Sequence, residues 1–93
     1  MIKTFADKPT AAIFEGHQVR RLPKDIQATA RRKLKQIDAA ISVDSLRIPP
    51  GNRLELLKGD RAGQCSIRIN DQWRICFEWA GGDAFNIEIA DYP

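Results

Sequence analysis

Two arginines on either side of a predicted hairpin are the residues in this sequence best suited to bind an anion. Apolar residues alternate with polar ones before and after residues 70–72, which predicts two antiparallel strands joined by a turn. The register that pairs Ile67 with Ile75 also sets Arg68 opposite Arg74. Like charges directly opposite each other destabilise a sheet, and an anion bound between them removes that cost. The pair therefore indicates a phosphate-binding site, unless both side chains extend into water.

Basic residues are concentrated in the first three quarters of the chain. The net charge is only +3, from 15 Lys and Arg against 12 Asp and Glu. Seven basic residues lie between Arg20 and Lys35 against one acid, Asp25, and none follows Arg74. Such a concentration favours a polyanionic partner such as nucleic acid. A basic helix face that is simply solvated explains it equally well.

Cysteine and histidine give no comparable pattern. Cys65 and Cys76 have no Cys or His neighbour at metal-ligand spacing, so we expect two reduced thiols on strands. The single histidine, His17, lies near a predicted loop, where a surface or capping role is favoured over catalysis. Residues 59–63 are glycine-rich but lack the lysine and hydroxyl residue of a nucleotide-binding loop. We therefore expect neither a metal nor a cofactor.

Length and composition predict one domain over residues 1–93 of an ordinary globular protein. The chain has 93 residues, of which 43% are hydrophobic and 29% charged. No extended apolar run follows the first five residues, so neither a signal peptide nor a membrane span is expected. The expected location is the cytoplasm.

A long helix is predicted to carry much of the positive charge. Apolar residues recur at spacings of three and four and form one stripe: Ile26, Ala30, Leu34, Ile37 and Ile41. Pro23 fits the first turn of this helix. Arg31, Arg32 and Lys35 fall mostly off the stripe, so we expect them to face water or a partner while the stripe covers a sheet.

The remaining patterns predict an α+β domain. A short helix is expected at residues 10–15, and strands at residues 2–5, 54–58, 65–69, 73–79 and 85–89. Helices that precede the strands indicate helices packed on one face of a small, largely antiparallel sheet. The opposite face is then expected to be exposed and to carry Arg68 and Arg74. If the last strand is regular, Tyr92 points to the same face.

The motifs in the second half of the chain resemble those of HigB-like toxins in the RelE/ParE superfamily of type II toxin–antitoxin systems. The likeness rests on residues 52–64, residues 66–77 and the terminal Asp91 and Tyr92. Residues 2–5 and 33–40 also fit, so the likeness covers nearly the whole chain. The resemblance implies a RelE-like fold with a twisted sheet whose concave face meets messenger RNA in the ribosome. It also implies an antitoxin partner of the HigA-like helix-turn-helix type.

Members of this family cleave RNA without a metal, by attack of a ribose 2′-hydroxyl on the adjacent phosphate. By motif position, the resemblance assigns the phosphate to Lys58 and Arg74. Arg74 is better suited to charge stabilisation, because arginine stays protonated and can hold two oxygens. Lys58 could carry a proton if cationic neighbours favour its neutral form. Tyr92 could stack on a base or lend its hydroxyl, and Asp91 could orient a neighbour or accept a proton. The alternative roles are an ordinary surface aromatic for Tyr92 and a strand-end cap for Asp91.

Two histidines of the family are absent from this chain. Some members carry histidine at the position of Glu55, and many end in histidine where this chain ends in Pro93. Imidazole suits proton transfer near neutrality. The candidates left for proton transfer are Glu55, Lys58, Asp91 and Tyr92. Glu55 is a candidate general base, and a surface glutamate paired with Arg53 or Lys58 is an equal alternative. The missing histidines predict either cleavage slower than that of histidine-bearing members or a natural loss of activity.

The resemblance therefore favours a ribosome-dependent endoribonuclease that inhibits translation. Six further basic residues are expected to contact RNA: Arg31, Arg32, Lys35, Arg53, Arg61 and Arg68. One alternative is a toxin of the same fold that binds a protein target such as DNA gyrase and cuts no RNA. The set of Lys58, Arg74, Asp91 and Tyr92 argues against it. Another alternative is an RNA-binding module without activity, whose affinity would depend strongly on salt.

Overall fold

The computed structural model describes residues 1–91 and contains two α-helices beside a four-stranded antiparallel sheet. The helices are α1 (Lys8–Phe14) and α2 (Lys24–Ala39), and the strands are β1 (Glu55–Leu56), β2 (Cys65–Arg68), β3 (Trp73–Ala80) and β4 (Asp83–Asp91). Short 3₁₀ helices at Val43–Arg47, Pro50–Asn52 and Gly59–Arg61 lie in the connections. The strands lie side by side in chain order.

The first helix begins two residues earlier than its sequence predicts. The Asp7 side chain caps it by accepting a hydrogen bond from the Thr10 amide at 2.8 Å, and Pro9 lies in the first turn. Capping satisfies an amide that would otherwise lack a partner, which is why the helix starts after Asp7. Gly16, with φ of 94°, follows its end, and glycine adopts this conformation without strain.

The second helix buries its predicted stripe except at the last position. Ile26, Ala30, Leu34 and Ile37 are all buried in the core. The prediction for Ile41 is wrong, because the backbone becomes extended at Ala40 and leaves the Ile41 side chain 89% exposed. Since helical periodicity ends where the helical dihedrals end, Ile41 no longer shares the face of the stripe.

The predicted hairpin register is confirmed. In the β2–β3 pair, Ile67 is opposite Ile75 and Arg68 is opposite Arg74. The fully buried side chains Ile67, Ile75 and Phe77 pack with α2. The predicted strand at residues 2–5 is reduced to two parallel bridges, from Ile2 and Phe5 to the outer edge of β4.

The sheet face opposite the helices is partly covered, so the expectation of a fully exposed face is wrong. Leu57 packs there against Cys76 and Ala90 in a second small cluster of buried residues. The segment between β1 and β2 also reaches across the sheet, because Arg61 forms an ion pair with Glu88 of β4 at 3.1 Å. Strand alternation assigns residues to a face but does not show what folds over that face.

Neither helix within residues 1–91 is long and apolar enough to cross a membrane.

Truncation of the buried stripe is expected to cost far more stability than truncation of its exposed end. Leu34→Ala should lower the free energy of unfolding by about 2–5 kcal/mol, because it removes a fully buried side chain and leaves a cavity. Ile41→Ala is the matched control and should change it by less than about 0.5 kcal/mol. Urea unfolding measures both. Equal losses would contradict the helix end at Ala39.

Candidate phosphate-binding site

Arg74 is held on the sheet face opposite the helices by three hydrogen bonds. Its Nε donates to Ser66 Oγ at 2.7 Å, and its Nη2 donates to the carbonyl oxygens of Arg53 at 2.6 Å and of Ser66 at 3.4 Å. The residue is only 7% exposed. These contacts fix the plane of a cation that stays charged at any physiological pH.

One edge of the Arg74 guanidinium is left for a ligand. Within residues 1–91, Nη1 donates to no hydrogen-bond acceptor. Every buried side-chain nitrogen in that part of the chain has a partner, so Nη1 is not buried. Nη1 is therefore in contact with solvent. A guanidinium that is fixed on one side and open on the other presents charged donors to an incoming phosphate oxygen.

Glu55 lies beside the same guanidinium. Its Oε1 is 3.9 Å from Arg74 Nη2, and its side chain is 55% exposed. The pairing of β1 with β2 sets Glu55 opposite Ser66, which places the carboxylate next to the arginine that Ser66 holds. The alternative ion pairs with Arg53 or Lys58 are not formed within residues 1–91. We call Arg74, Ser66, Arg53 and Glu55 the Arg74 cluster.

Arg53 contributes its backbone to the cluster. It adopts the left-handed conformation with φ of 45° and ψ of 58°, and its carbonyl receives the hydrogen bond from Arg74. An L-residue rarely adopts this conformation and is strained there. The Arg53 side chain is exposed, so it remains available for the RNA contact expected from the sequence.

Arg68 lies opposite Arg74, but the two arginines pair with different carboxylates. Arg68 turns towards the hairpin and forms an ion pair with the exposed Asp71. Exposed pairs of this kind contribute little stability, so the arginine can exchange Asp71 for another anion. Neither arginine simply extends into water.

Lys33 is a buried cation that the sequence analysis did not identify as part of the site. It is 7% exposed, and its Nζ donates to Asn52 Oδ1 at 2.7 Å. Burial lowers the pKa of Lys33, and the charges of Arg32, Arg68 and Arg74 lower it further. The sequence does contain a signal for its burial, because Lys33 lies seven residues after Ile26 and therefore on the same face of the helix as the apolar stripe.

Lys58 and Asp91 lie near the two edges of the sheet. Lys58 is exposed, two residues after the end of β1. Asp91 is exposed at the end of β4, opposite Trp73, and accepts a hydrogen bond from Gln72 Nε2 at 3.0 Å. The expectations for Tyr92 and Pro93 lie outside the described residues.

The other sequence-predicted RNA contacts do not form one group. Lys35 places its Nζ 4.2 Å from the centre of the Phe14 ring, and the Arg31 guanidinium lies against Gly16, so both meet the end of α1. Arg32 is exposed near Lys33. Arg61 bonds to Glu88 and, at 3.1 Å, to Gln64.

The cysteines and the histidine lie outside the Arg74 cluster. Burial raises the pKa of the Cys65 and Cys76 thiols, which are both free. His17 is exposed in the loop after α1. Within residues 1–91, no three His, Cys, Asp or Glu side chains come close enough together to hold a metal ion.

Glycine at position 53 is expected to be more stable than alanine. Both Arg53→Gly and Arg53→Ala remove the same side chain, but only glycine adopts φ of 45° without strain. The free energy of unfolding of Arg53→Gly should exceed that of Arg53→Ala by about 1 kcal/mol. Urea unfolding of the two variants measures the difference. A more stable alanine variant would mean that residue 53 is not left-handed in solution.

Comparison with known proteins shows which family this chain resembles. The family described as RelE-like toxin of type II toxin-antitoxin system HigB matches residues 3–92. Toxin HigB-1 of Vibrio cholerae is 45% identical over 87 residues, which cover 92% of each chain. Endoribonuclease HigB of Proteus vulgaris is 34% identical over 92 residues, which cover 99% of each.

The fold has a counterpart among solved structures. A chain of the YoeB-YefM complex from Staphylococcus aureus superposes with a TM-score of 0.61 at 17% identity, with 100% of this chain and 98% of that chain covered. This likeness confirms the expected α+β fold of helices on an antiparallel sheet. The match over residues 3–92 and the two relatives identify the chain as a member of the HigB-like family of RelE-like toxins of type II toxin–antitoxin systems.

Proposed function

We propose that this toxin is an endoribonuclease that cleaves messenger RNA on the translating ribosome and thereby blocks translation. The observation that carries the proposal is the Arg74 guanidinium, fixed by Ser66 and Arg53 and open at Nη1, with a carboxylate 3.9 Å from its Nη2. The relative from Proteus vulgaris, which bears the name endoribonuclease, supports the same activity.

The phosphate is the part of the substrate that the Arg74 cluster suits best. Attack of a 2′-hydroxyl on phosphorus concentrates negative charge on the phosphate oxygens in the transition state. Donors that are already fixed in place stabilise that charge without reorganising during the reaction. Arg74 meets this requirement, and Arg68 and Lys58 are the neighbouring cations expected to share the phosphate or the flanking RNA backbone.

The reaction also needs two proton transfers. A new bond forms from the 2′ oxygen to phosphorus while the bond from phosphorus to the 5′ oxygen breaks, which gives a cyclic phosphate and a 5′-hydroxyl. One proton leaves the 2′ oxygen and one reaches the 5′ oxygen. Glu55 is the proposed acceptor, because its exposed carboxylate lies beside the guanidinium that would hold the phosphate. Lys58 and Tyr92 are the proposed sources of the second proton.

Partners and location follow from this function. Arg31, Arg32 and Lys35 are exposed on α2, where they can contact ribosomal or messenger RNA without entering the Arg74 cluster. The YoeB-YefM structure is a toxin–antitoxin complex. For this chain we propose a HigA-like helix-turn-helix antitoxin, and the cytoplasm as the place where it meets ribosomes.

Mapping the 5′ ends of cellular messages after brief expression tests the proposed activity. The expected result is discrete cuts within translated codons. Intact messages with arrested DNA replication would instead support binding to a protein target such as DNA gyrase. Intact messages with unaffected replication and salt-sensitive RNA binding would indicate a module without catalytic activity.

Arg74→Lys is expected to abolish most cleavage. Lysine keeps the charge but has only one side-chain nitrogen. That nitrogen cannot replace the separate Nε, Nη1 and Nη2 donors with which arginine bonds to Ser66 and Arg53 and faces the phosphate. We expect a loss of about 10²–10³-fold in the single-turnover rate on programmed ribosomes. Arg47→Lys, the same change at an exposed residue, is the control and should cleave normally. Equal rates for the two variants would refute the role of Arg74.

Glu55→Gln tests the proposed base. The variant should cleave about 10²–10³-fold more slowly, because glutamine cannot accept the 2′ proton. Its stability should change by less than about 1 kcal/mol, since the ion pair to Arg74 is half-exposed. Glu15→Gln, at an exposed position after α1, provides the control. A Glu55→Gln rate equal to that control would transfer the role of base to Asp91 or Tyr92.

A further inference from the structure

Lys33 is buried where an apolar side chain would serve the core better. It lies on the inner side of α2 with Ala30, Leu34 and Ile37. Within residues 1–91 it has no carboxylate partner, only the neutral Asn52. A buried cation without an anion costs free energy, so packing alone does not account for a lysine at this position.

The partner of Lys33 is itself fixed at every side-chain atom that can bond. Asn52 is fully buried, its Oδ1 accepts from Lys33, and its Nδ2 donates to Gln36 Oε1 at 3.2 Å and to the Leu46 carbonyl at 3.1 Å. Lys33 and Gln36 both belong to α2. The residue that precedes Arg53 is therefore attached to the helix layer.

The next residue connects this attachment to the proposed site. Arg53 is left-handed, and in this conformation its carbonyl accepts the 2.6 Å hydrogen bond from Arg74 Nη2. Rotation or displacement of Asn52 would move that carbonyl. A continuous series of contacts thus runs from Lys33 through Asn52 and the Arg53 backbone to the guanidinium.

We propose that Lys33 is a positioning residue, which acts through Asn52 and the Arg53 carbonyl to orient Arg74 towards the RNA phosphate. The inference rests on the proposed nuclease function for its effect on rate, whereas the orientation of Arg74 can be measured without RNA. Lys33 does not touch the substrate in this proposal. Its loss lowers the rate of the bound complex rather than the affinity for RNA.

The variant that tests the proposal is Lys33→Met, which keeps the length and apolar stem of the side chain. The matched control is Lys24→Met, which removes the same charge from an exposed position on the same helix. On programmed ribosomes, Lys33→Met should lower kcat by about 10–100-fold, because a small misplacement of a catalytic group is costly. KM should change by less than about threefold. Lys24→Met should match the wild type in both.

A double-variant cycle shows whether Lys33 acts through Arg74. In the Arg74→Lys background, Lys33→Met should lower the remaining rate by less than about threefold, because the group that Lys33 orients is already gone. A full additional loss in that background would overturn the proposal. So would a Lys33→Met variant with the kcat of Lys24→Met.

The Nε–H resonance of Arg74 reports its orientation without any RNA. In the wild type this hydrogen is donated to the buried Ser66 Oγ, so its exchange with water should be slow. Lys33→Met should accelerate exchange and shift the resonance, and Lys24→Met should do neither. Unchanged exchange in Lys33→Met would overturn the proposal even if the variant were less thermostable.

These measurements separate failure of the inference from failure of the proposed function. If the wild-type protein cuts no RNA, the proposed nuclease function is refuted. The exchange rate at the Arg74 Nε–H would still test the role of Lys33. If Lys33→Met does not fold, Lys33→Gln takes its place. Glutamine is one atom shorter, so its weaker bond to Asn52 should also accelerate exchange at Arg74. Slow exchange in folded Lys33→Gln would overturn the proposal.

Discussion

The hydrogen bond from Arg74 to the Arg53 carbonyl is the interaction on which the arrangement of the candidate site depends. Within the described residues it joins a central strand to a backbone segment outside the sheet. It sets the side of the guanidinium that is occupied and hence the side that is open. It also gives the left-handed Arg53 a role, because strain in a backbone persists where surrounding contacts require it.

Local periodicity was sufficient to predict the hairpin and most of the long helix. Alternation around residues 70–72 identified Arg68 and Arg74 as opposite residues, since a shift by one residue would have reversed every buried side chain. The same approach failed at Ile41, because periodicity carries no information about where the helical backbone ends. The cap at Asp7 shows that helix ends depend on individual hydrogen bonds.

The site was predicted less completely than the fold, for reasons that involve distant segments. Arg74 was recognised from its motif and register, but its burial comes from contacts with Ser66 and Arg53. Leu57 covers part of a face that alternation presented as exposed. The sequence presents Lys33 only as one of the basic residues of α2, since nothing nearby in it reveals that Asn52 accepts a hydrogen bond from the Lys33 ammonium group.

The attachment of Asn52 to α2 has a mechanical consequence. The helix layer and the sheet face are joined through two consecutive residues, one bonded to Lys33 and the other to Arg74. The orientation of the guanidinium is therefore not a property of the sheet alone. A molecule that tilts α2 against the sheet would therefore reorient Arg74 without contacting the Arg74 cluster.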